Sequence, residues 1–315
     1  MSTPTTVTGT ASEVSDLRVV HDPRFAAYVP DGARLTRLHG DMRWAEGPVW
    51  RPASGDLLWS DIPNNRMYRL AAGGTIGVFR DPSHFSNGNT LDREGRLITC
   101  EQSHRAISRT DAAGHIDVLV DSYEERRFNS PNDAVVAADG AIWFSDPPYG
   151  ILSDSEGVPG EMEYGGCFVF RFDPATGDLT VVADDFDKPN GLAFSPDERR
   201  LYVADSGASH DPAAPHHVRV FDVVDGVGLR GGSVFADIRP GVPDGLRLDV
   251  DGNVWISAAD GIHCYAPDGV LLGKLLVPET VANLEFGGSD RRRLFITATT
   301  SLYSITLHQA GVART

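Results

Sequence analysis

One short pattern recurs six times along this chain of 315 residues, and no other feature of the sequence restricts its fold so tightly. The copies are Ala45-Glu46-Gly47-Pro48-Val49-Trp50, Ser86-Asn87-Gly88-Asn89-Thr90-Leu91, Pro131-Asn132-Asp133-Ala134-Val135-Val136, Pro189-Asn190-Gly191-Leu192-Ala193-Phe194, Pro243-Asp244-Gly245-Leu246-Arg247-Leu248 and Ala282-Asn283-Leu284-Glu285-Phe286. Each opens on Glu, Asn or Asp and runs into an apolar stretch. A turn rich in Asp, Gly or Ser follows, as at residues 92–95, 138–140, 195–197 and 251–252, and then a second apolar run such as residues 57–61, 142–146, 201–205 and 254–257. Such pairs read as β-hairpins. Further strand–turn–strand units fit between them, for example residues 167–172 and 179–183 around a turn at 173–177.

Four strands per unit, repeating roughly every forty to sixty residues, predict an all-β, six-bladed β-propeller with four-stranded antiparallel blades. Equivalent residues of a propeller face one axis, so the six polar openers are expected to converge on a central, metal-containing channel. A β-sandwich would scatter them over two sheets and leave their recurrence unexplained. Residues 33–38 read as an edge strand that completes the last blade beside residues 294–298 and 302–306, tying both ends of the chain into one sheet. Residues 1–16 are expected to form a flexible tail ahead of a single domain spanning 17–315.

Composition narrows the function classes. With 41% hydrophobic and 23% charged residues the chain can bury a full core, and its 33 glycines and 20 prolines fall between short apolar runs. A formal charge of −16 without a Lys/Arg cluster argues against nucleic acid and anionic membrane surfaces as partners. Cys100, Cys167 and Cys264 have no metal-ligand spacing and read as buried small hydrophobes of a reducing compartment. Without a long apolar run or a secretory pattern at the start, a cytoplasmic protein is expected, as a monomer or homodimer.

The openers offer two carboxylates, Glu46 and Asp244, and the amides of Asn87, Asn132, Asn190 and Asn283, all hard oxygen donors. Two carboxylates buried together call for a compensating charge, which a divalent cation provides. Asn-Gly and Asp-Gly are also turn dipeptides, so Asn87-Gly88, Asn190-Gly191 and Asp244-Gly245 have a plainer reading as turns. Against that reading, they begin apolar strands instead of joining two strands, and they recur in register. Glu46, Asn132, Asn190 and Asp244 are therefore the predicted ligands of one divalent metal, calcium first, with zinc, magnesium or manganese as alternatives.

The stretches Arg43-Trp44-Ala45-Glu46-Gly47-Pro48-Val49-Trp50, Arg127-Phe128-Asn129-Ser130-Pro131-Asn132-Asp133, Phe144-Ser145-Asp146-Pro147-Pro148-Tyr149-Gly150, Lys188-Pro189-Asn190-Gly191-Leu192-Ala193-Phe194-Ser195 and Val242-Pro243-Asp244-Gly245 resemble the SMP-30/gluconolactonase/LRE family. That resemblance implies a propeller holding a calcium or zinc ion and, in many members, hydrolysis of sugar lactones. It matches the family's glutamate ligand to Glu46, its amide ligand to Asn190, its catalytic aspartate ligand to Asp244, and an asparagine that touches metal or substrate to Asn132. Two departures are visible. Ser130 stands where animal members carry a basic residue, with Arg127 close by, and Gln102-Ser103-His104 stands where many bacterial members carry a His-Gly turn.

The expected activity is opening of a small lactone by water attack on a metal-polarised carbonyl, with Asp244 accepting the water's proton. Asn87, Glu101, Asn129, Asp146, Tyr149 and Asp205 are the expected substrate contacts, although Asp146 and Asp205 end second strands as Asp61 does and could instead satisfy backbone donors. His210, His216 and His217 read as a solvated loop before a metal cluster. A phosphotriesterase acting on the same metal and a non-catalytic metal-binding propeller are the alternatives.

Overall fold

The computed structural model describes residues 17–313; the expected tail at 1–16 lies outside the described residues. Six antiparallel sheets succeed one another as blades, with a two-stranded ribbon of Ser122–Tyr123 and Arg126–Arg127 between the second and third. Blade 1 is Ala45–Arg51, Asp56–Asp61, Arg66–Leu70 and Ile76–Arg80; blade 2 is Ser86–Leu91, Leu97–Glu101, Ala106–Thr110 and Ile116–Val120. Blade 3 comprises Ala134–Val136, Ile142–Asp146, Cys167–Phe172 and Leu179–Phe186, and blade 4 comprises Pro189–Phe194, Arg200–Asp205, His217–Val224 and Gly228–Asp237. Blade 5 is built from Leu246–Leu248, Val254–Ala258, Gly261–Tyr265 and Leu271–Leu276. Blade 6 takes Val281–Gly287, Arg293–Ala298 and Ser301–Thr306 from the end of the chain and Thr36–His39 from its beginning.

The first strands of neighbouring blades touch in cyclic order, and that of blade 6 meets that of blade 1, which closes the ring. This is the predicted six-bladed propeller. The predicted closure holds too: Thr36 lies opposite Ser304 and Arg37 opposite Tyr303. An element the sequence reading did not anticipate is Arg18–Val20, a fifth strand antiparallel to Leu271–Leu276 on blade 5. Its three residues are too few to show an alternation.

Burial grades outward along each blade. Pro189–Phe194 is buried throughout, whereas Ile116–Val120 is exposed or half-buried at every position. Inner strands are packed on both faces, so the charges they carry, Glu46, Arg247 and Glu285, need partners inside the molecule, whereas the outer strands carry charge in solvent. The core lies between blades, in separate apolar clusters. Trp143, Leu192 and Val203 join blades 3 and 4, while Tyr202, Leu246 and Ile256 join blades 4 and 5. All three cysteines are free and buried. No helix among the described residues is long and apolar enough to cross a membrane.

Candidate functional site

Local geometry at the openers explains why their dipeptides are not turns. In four of the six blades the ladder between the inner and second strands skips: between Glu46 and Val49, Ser86 and Asn89, Pro189 and Leu192, and Val281 and Asn283. A bulge of this kind bends the strand and re-aims the side chain beside it. The glycine after the opener serves close approach between blades. Gly191 N–H donates to Asp244 O at 3.1 Å, and a Cβ on Gly191 would stand 2.3 Å from that oxygen. Gly88 N–H likewise donates to Asn132 O at 2.7 Å. Backbones packed this tightly leave no room for a side chain, which is why glycine follows four of the six openers.

The result is one cavity of about 360 Å³ lined by Glu46, Asn87, Asn132, Asn190 and Asp244, one opener from each of five blades. The sixth, Asn283, supports the first: its Nδ2 donates to Glu46 Oε2 at 3.1 Å, and Gly47 N–H donates to the same oxygen at 2.6 Å. Burial, with the like charge of Asp133 added, pushes the Glu46 carboxyl up to about 7. Burial and the neighbouring Glu46 and Asp133 raise Asp244 well above the ordinary carboxylate range, against a hydrogen bond from Asn190 that pulls it down. Two buried carboxyls raised above their ordinary range, Asp244 in part by the charge of Glu46, and flanked by neutral amides form a donor set that fits a divalent cation.

Beneath this layer Arg247 is buried with its Nε 2.9 Å from Glu285 Oε2 and its Nη1 3.5 Å from Asp133 Oδ2. Arg247 and Glu285 also line a smaller cavity of about 80 Å³ with Arg93 and Glu198. The positive charge of Arg247 favours ionised Glu46.

Of the expected substrate contacts, Asn87 and Tyr149 line the cavity. Asp146 and Asp205 do not, and three blades share the reason. Asp61 Oδ1 accepts the backbone N–H groups of Arg43 and Trp44; the two carboxylate oxygens of Asp146 accept those of Asn129 and Ser130; those of Asp205 accept Asp187 and Lys188. In each case the donors lie three and two residues before the opener, so the carboxylate staples the inner strand at the point where the opener is presented. Asn129 is used in the same way, its Nδ2 donating to Asp146 O and Gly166 O. Glu101 lies outside the cavity as well, accepting from Ser108 Oγ at 2.6 Å and paired with His104 Nδ1 at 2.8 Å. Ser130 Oγ donates to Pro147 O, and Arg127 Nη2 donates to His104 O, so neither supplies a cavity cation.

The sequence reading missed Glu156 and placed His210 in a solvated loop instead of in the cavity. Both line the cavity from irregular segments, with Trp44, Ile62, Val242 and Val281 as its apolar wall. Burial raises Glu156. The ring of His210 lies 5.6 Å from that of Tyr149, while His216 Nε2 pairs with Arg239 Nη2 at 2.6 Å and His217 lies on an outer strand of blade 4. The three histidines thus go separate ways. No Lys or Arg lines the cavity among the described residues.

The model of the SMP-30/Gluconolactonase/LRE-like region matches residues 44–300, which takes in the inner strands of all six blades. The chain belongs to that family. Within it, a gluconolactonase of Zymomonas mobilis is 34% identical over 301 residues, covering 88% of this chain and 82% of its own. A pentonolactonase of Haloferax volcanii is 30% identical over 261 residues, 81% of each chain. Among solved structures, a gluconolactonase of Xanthomonas campestris superposes with a TM-score of 0.89 at 38% identity, over 96% of this chain and 98% of that one.

Proposed function

We propose that this family member is a metal-dependent lactonase that hydrolyses small, uncharged, sugar-type lactones in the cavity at the openers. The observation that carries the reading is the convergence of Glu46, Asn132, Asn190 and Asp244 from four blades on one cavity of about 360 Å³. Those four would hold the cation, and their all-oxygen chemistry favours a hard ion, calcium ahead of zinc, magnesium or manganese. The chemistry such an ion supplies when bound is Lewis-acid polarisation of the lactone carbonyl.

The chain's own residues account for the remaining steps. Asp244 takes the proton of the attacking water through a carboxylate oxygen as the water oxygen bonds to the carbonyl carbon. When the ring C–O bond breaks, that proton passes to the departing alkoxide, giving the open hydroxy acid. Asn87 and Tyr149 orient ring hydroxyls by hydrogen bonds, and Trp44 and Ile62 cover an apolar edge and keep bulk water away. Three carboxylates, Glu46, Glu156 and Asp244, face the cavity with no Lys or Arg among the described residues to oppose them, which disfavours phosphorylated or carboxylated substrates.

The test is a pH-indicator assay of calcium-loaded protein on an aldono-1,5-lactone, its 6-phosphate and a phosphotriester. Rapid acid release from the neutral lactone alone is expected, with at least a hundredfold loss in Asp244→Asn. Activity of that variant within a few-fold of wild type would remove Asp244 from its role, and faster phosphotriester turnover would replace the lactonase reading.

A further inference from the structure

Blade 2 breaks a rule that blades 1, 3 and 4 obey. In those three the carboxylate ending the second strand is occupied by the N–H groups of the residues three and two before the opener. In blade 2 the corresponding carboxylate is Glu101, opposite Ser86 in the ladder, and the residues before the opener Asn87 are His84 and Phe85. Both adopt left-handed backbone, at φ 62° and 53°, a conformation that non-glycine residues hold only when their surroundings impose it. The surroundings here are explicit. Phe85 N–H donates to Asn65 Oδ1 at 2.8 Å, Ser103 Oγ donates to His84 O at 2.9 Å, and Gln102 N–H donates to Phe85 O at 3.3 Å. The strand is pinned by other means, and the longer Glu101 side chain is released from the backbone.

What meets the released carboxylate is a pair of imidazoles. The rings of His84 and His104 face each other with centroids 3.9 Å apart and planes 24° apart, and His104 Nδ1 lies 2.8 Å from Glu101 Oε2. One donor atom from each of His84, Glu101 and His104 falls within 4.8 Å of the others, the one such group of His, Cys, Asp and Glu among the described residues. A tetrahedral ion with bonds of about 2.0–2.1 Å needs its ligand atoms roughly 3.4 Å apart. Rotation of His104, whose side chain is 47% exposed, supplies the difference. Neither ring nitrogen of His84 has a hydrogen-bond partner among the described residues. Behind the carboxylate, Ser108 Oγ fixes Oε1 and Arg80 Nη1 stands 3.6 Å from it, an arrangement that anchors that oxygen and leaves Oε2 to face His104.

We propose that His84, Glu101 and His104 form a second metal site, selective for zinc and related nitrogen-seeking ions and separate from the oxygen-lined cavity. Two imidazoles and one carboxylate suit Zn²⁺, Co²⁺ or Ni²⁺ and disfavour Ca²⁺, which takes six to eight oxygens. The ion would clip the loop at residues 81–85 to the turn at 102–105, the segment leading into Asn87. The proposal does not depend on the lactonase reading.

Untagged full-length protein, held in excess calcium, is dialysed against Zn²⁺ and its metal content counted, with Co²⁺ substituted to read imidazole coordination by visible absorption. Wild type is expected to take up one more zinc per chain than either His84→Ala or His104→Ala, and both variants are expected to lose the cobalt bands while retaining calcium. His104 is exposed, so its variant tests the site even if His84→Ala fails to fold. Equal zinc uptake by wild type and His104→Ala, or cobalt bands that persist in that variant, would overturn the proposal.

Discussion

Glu46, raised by burial to about 7, must give up its proton before it can hold a divalent cation. Calcium titrated at pH 6 should therefore release protons that a weak buffer records, and affinity should climb as the pH passes 7; equal binding at pH 6 and pH 9 would contradict this. The same shift fixes the pH dependence of the metal-free chain. A carboxyl near 7 when folded and near its ordinary value when unfolded binds more protons in the folded state across that window, so its stabilising contribution is full at acid pH and is lost as pH rises through 7. For Glu46 alone that amounts to about 3 kcal/mol. Melting in chelator is expected to be lower at pH 8 than at pH 5, with calcium narrowing the gap. Glu46, Asn132, Asn190 and Asp244 were readable because each heads a repeat, so one alignment of the chain on itself isolates them. Glu156 and His210 head nothing: they reach the cavity from segments that belong to a single blade, where no internal copy exists to mark them.

At the scale of the strand, the staples formed by Asp61, Asp146 and Asp205 decide where an opener points. Asp205→Ala would leave the part-buried backbone N–H groups of Asp187 and Lys188 without their acceptor, at about 1 kcal/mol for each where water takes its place only in part. Its melting temperature should fall while KM for the lactone in the folded fraction stays put; a large rise in KM with unchanged stability would return Asp205 to the substrate. Gly191→Ala probes the other half of the device. With Asp244 O only 2.3 Å from the new Cβ, the blades must part, and calcium affinity should drop together with stability. The sequence could indicate that Asn-Gly begins a strand, but a bulge and a turn ask for the same residues. Only pairing across the ladder separates them.

Across the whole molecule, the ring turns sequence separation into contact. Arg247 on blade 5 meets Asp133 on blade 3 and Glu285 on blade 6, and all three sit under the openers. Arg247→Ala should destabilise the chain by about 3–5 kcal/mol, because it removes the buried cation that Asp133 and Glu285 share. Urea unfolding of metal-free protein measures it, and a loss below 1 kcal/mol would show that water already screens the cluster. The propeller and its closure were legible from the period of the repeat, since a four-stranded unit that cannot bury its own faces must stack on neighbours. The ionic cluster was not, because Asp133 and Arg247 look like ordinary strand residues until the ring brings them together.

In the proposed site, side chains from four blades share one ion. Crystals of the protein grown with calcium and soaked in Mn²⁺ would locate that ion by anomalous scattering. A peak enclosed by Glu46, Asn132, Asn190 and Asp244 is predicted. Density at these residues without an ion, in crystals whose dissolved protein hydrolyses lactone in chelator, would contradict it.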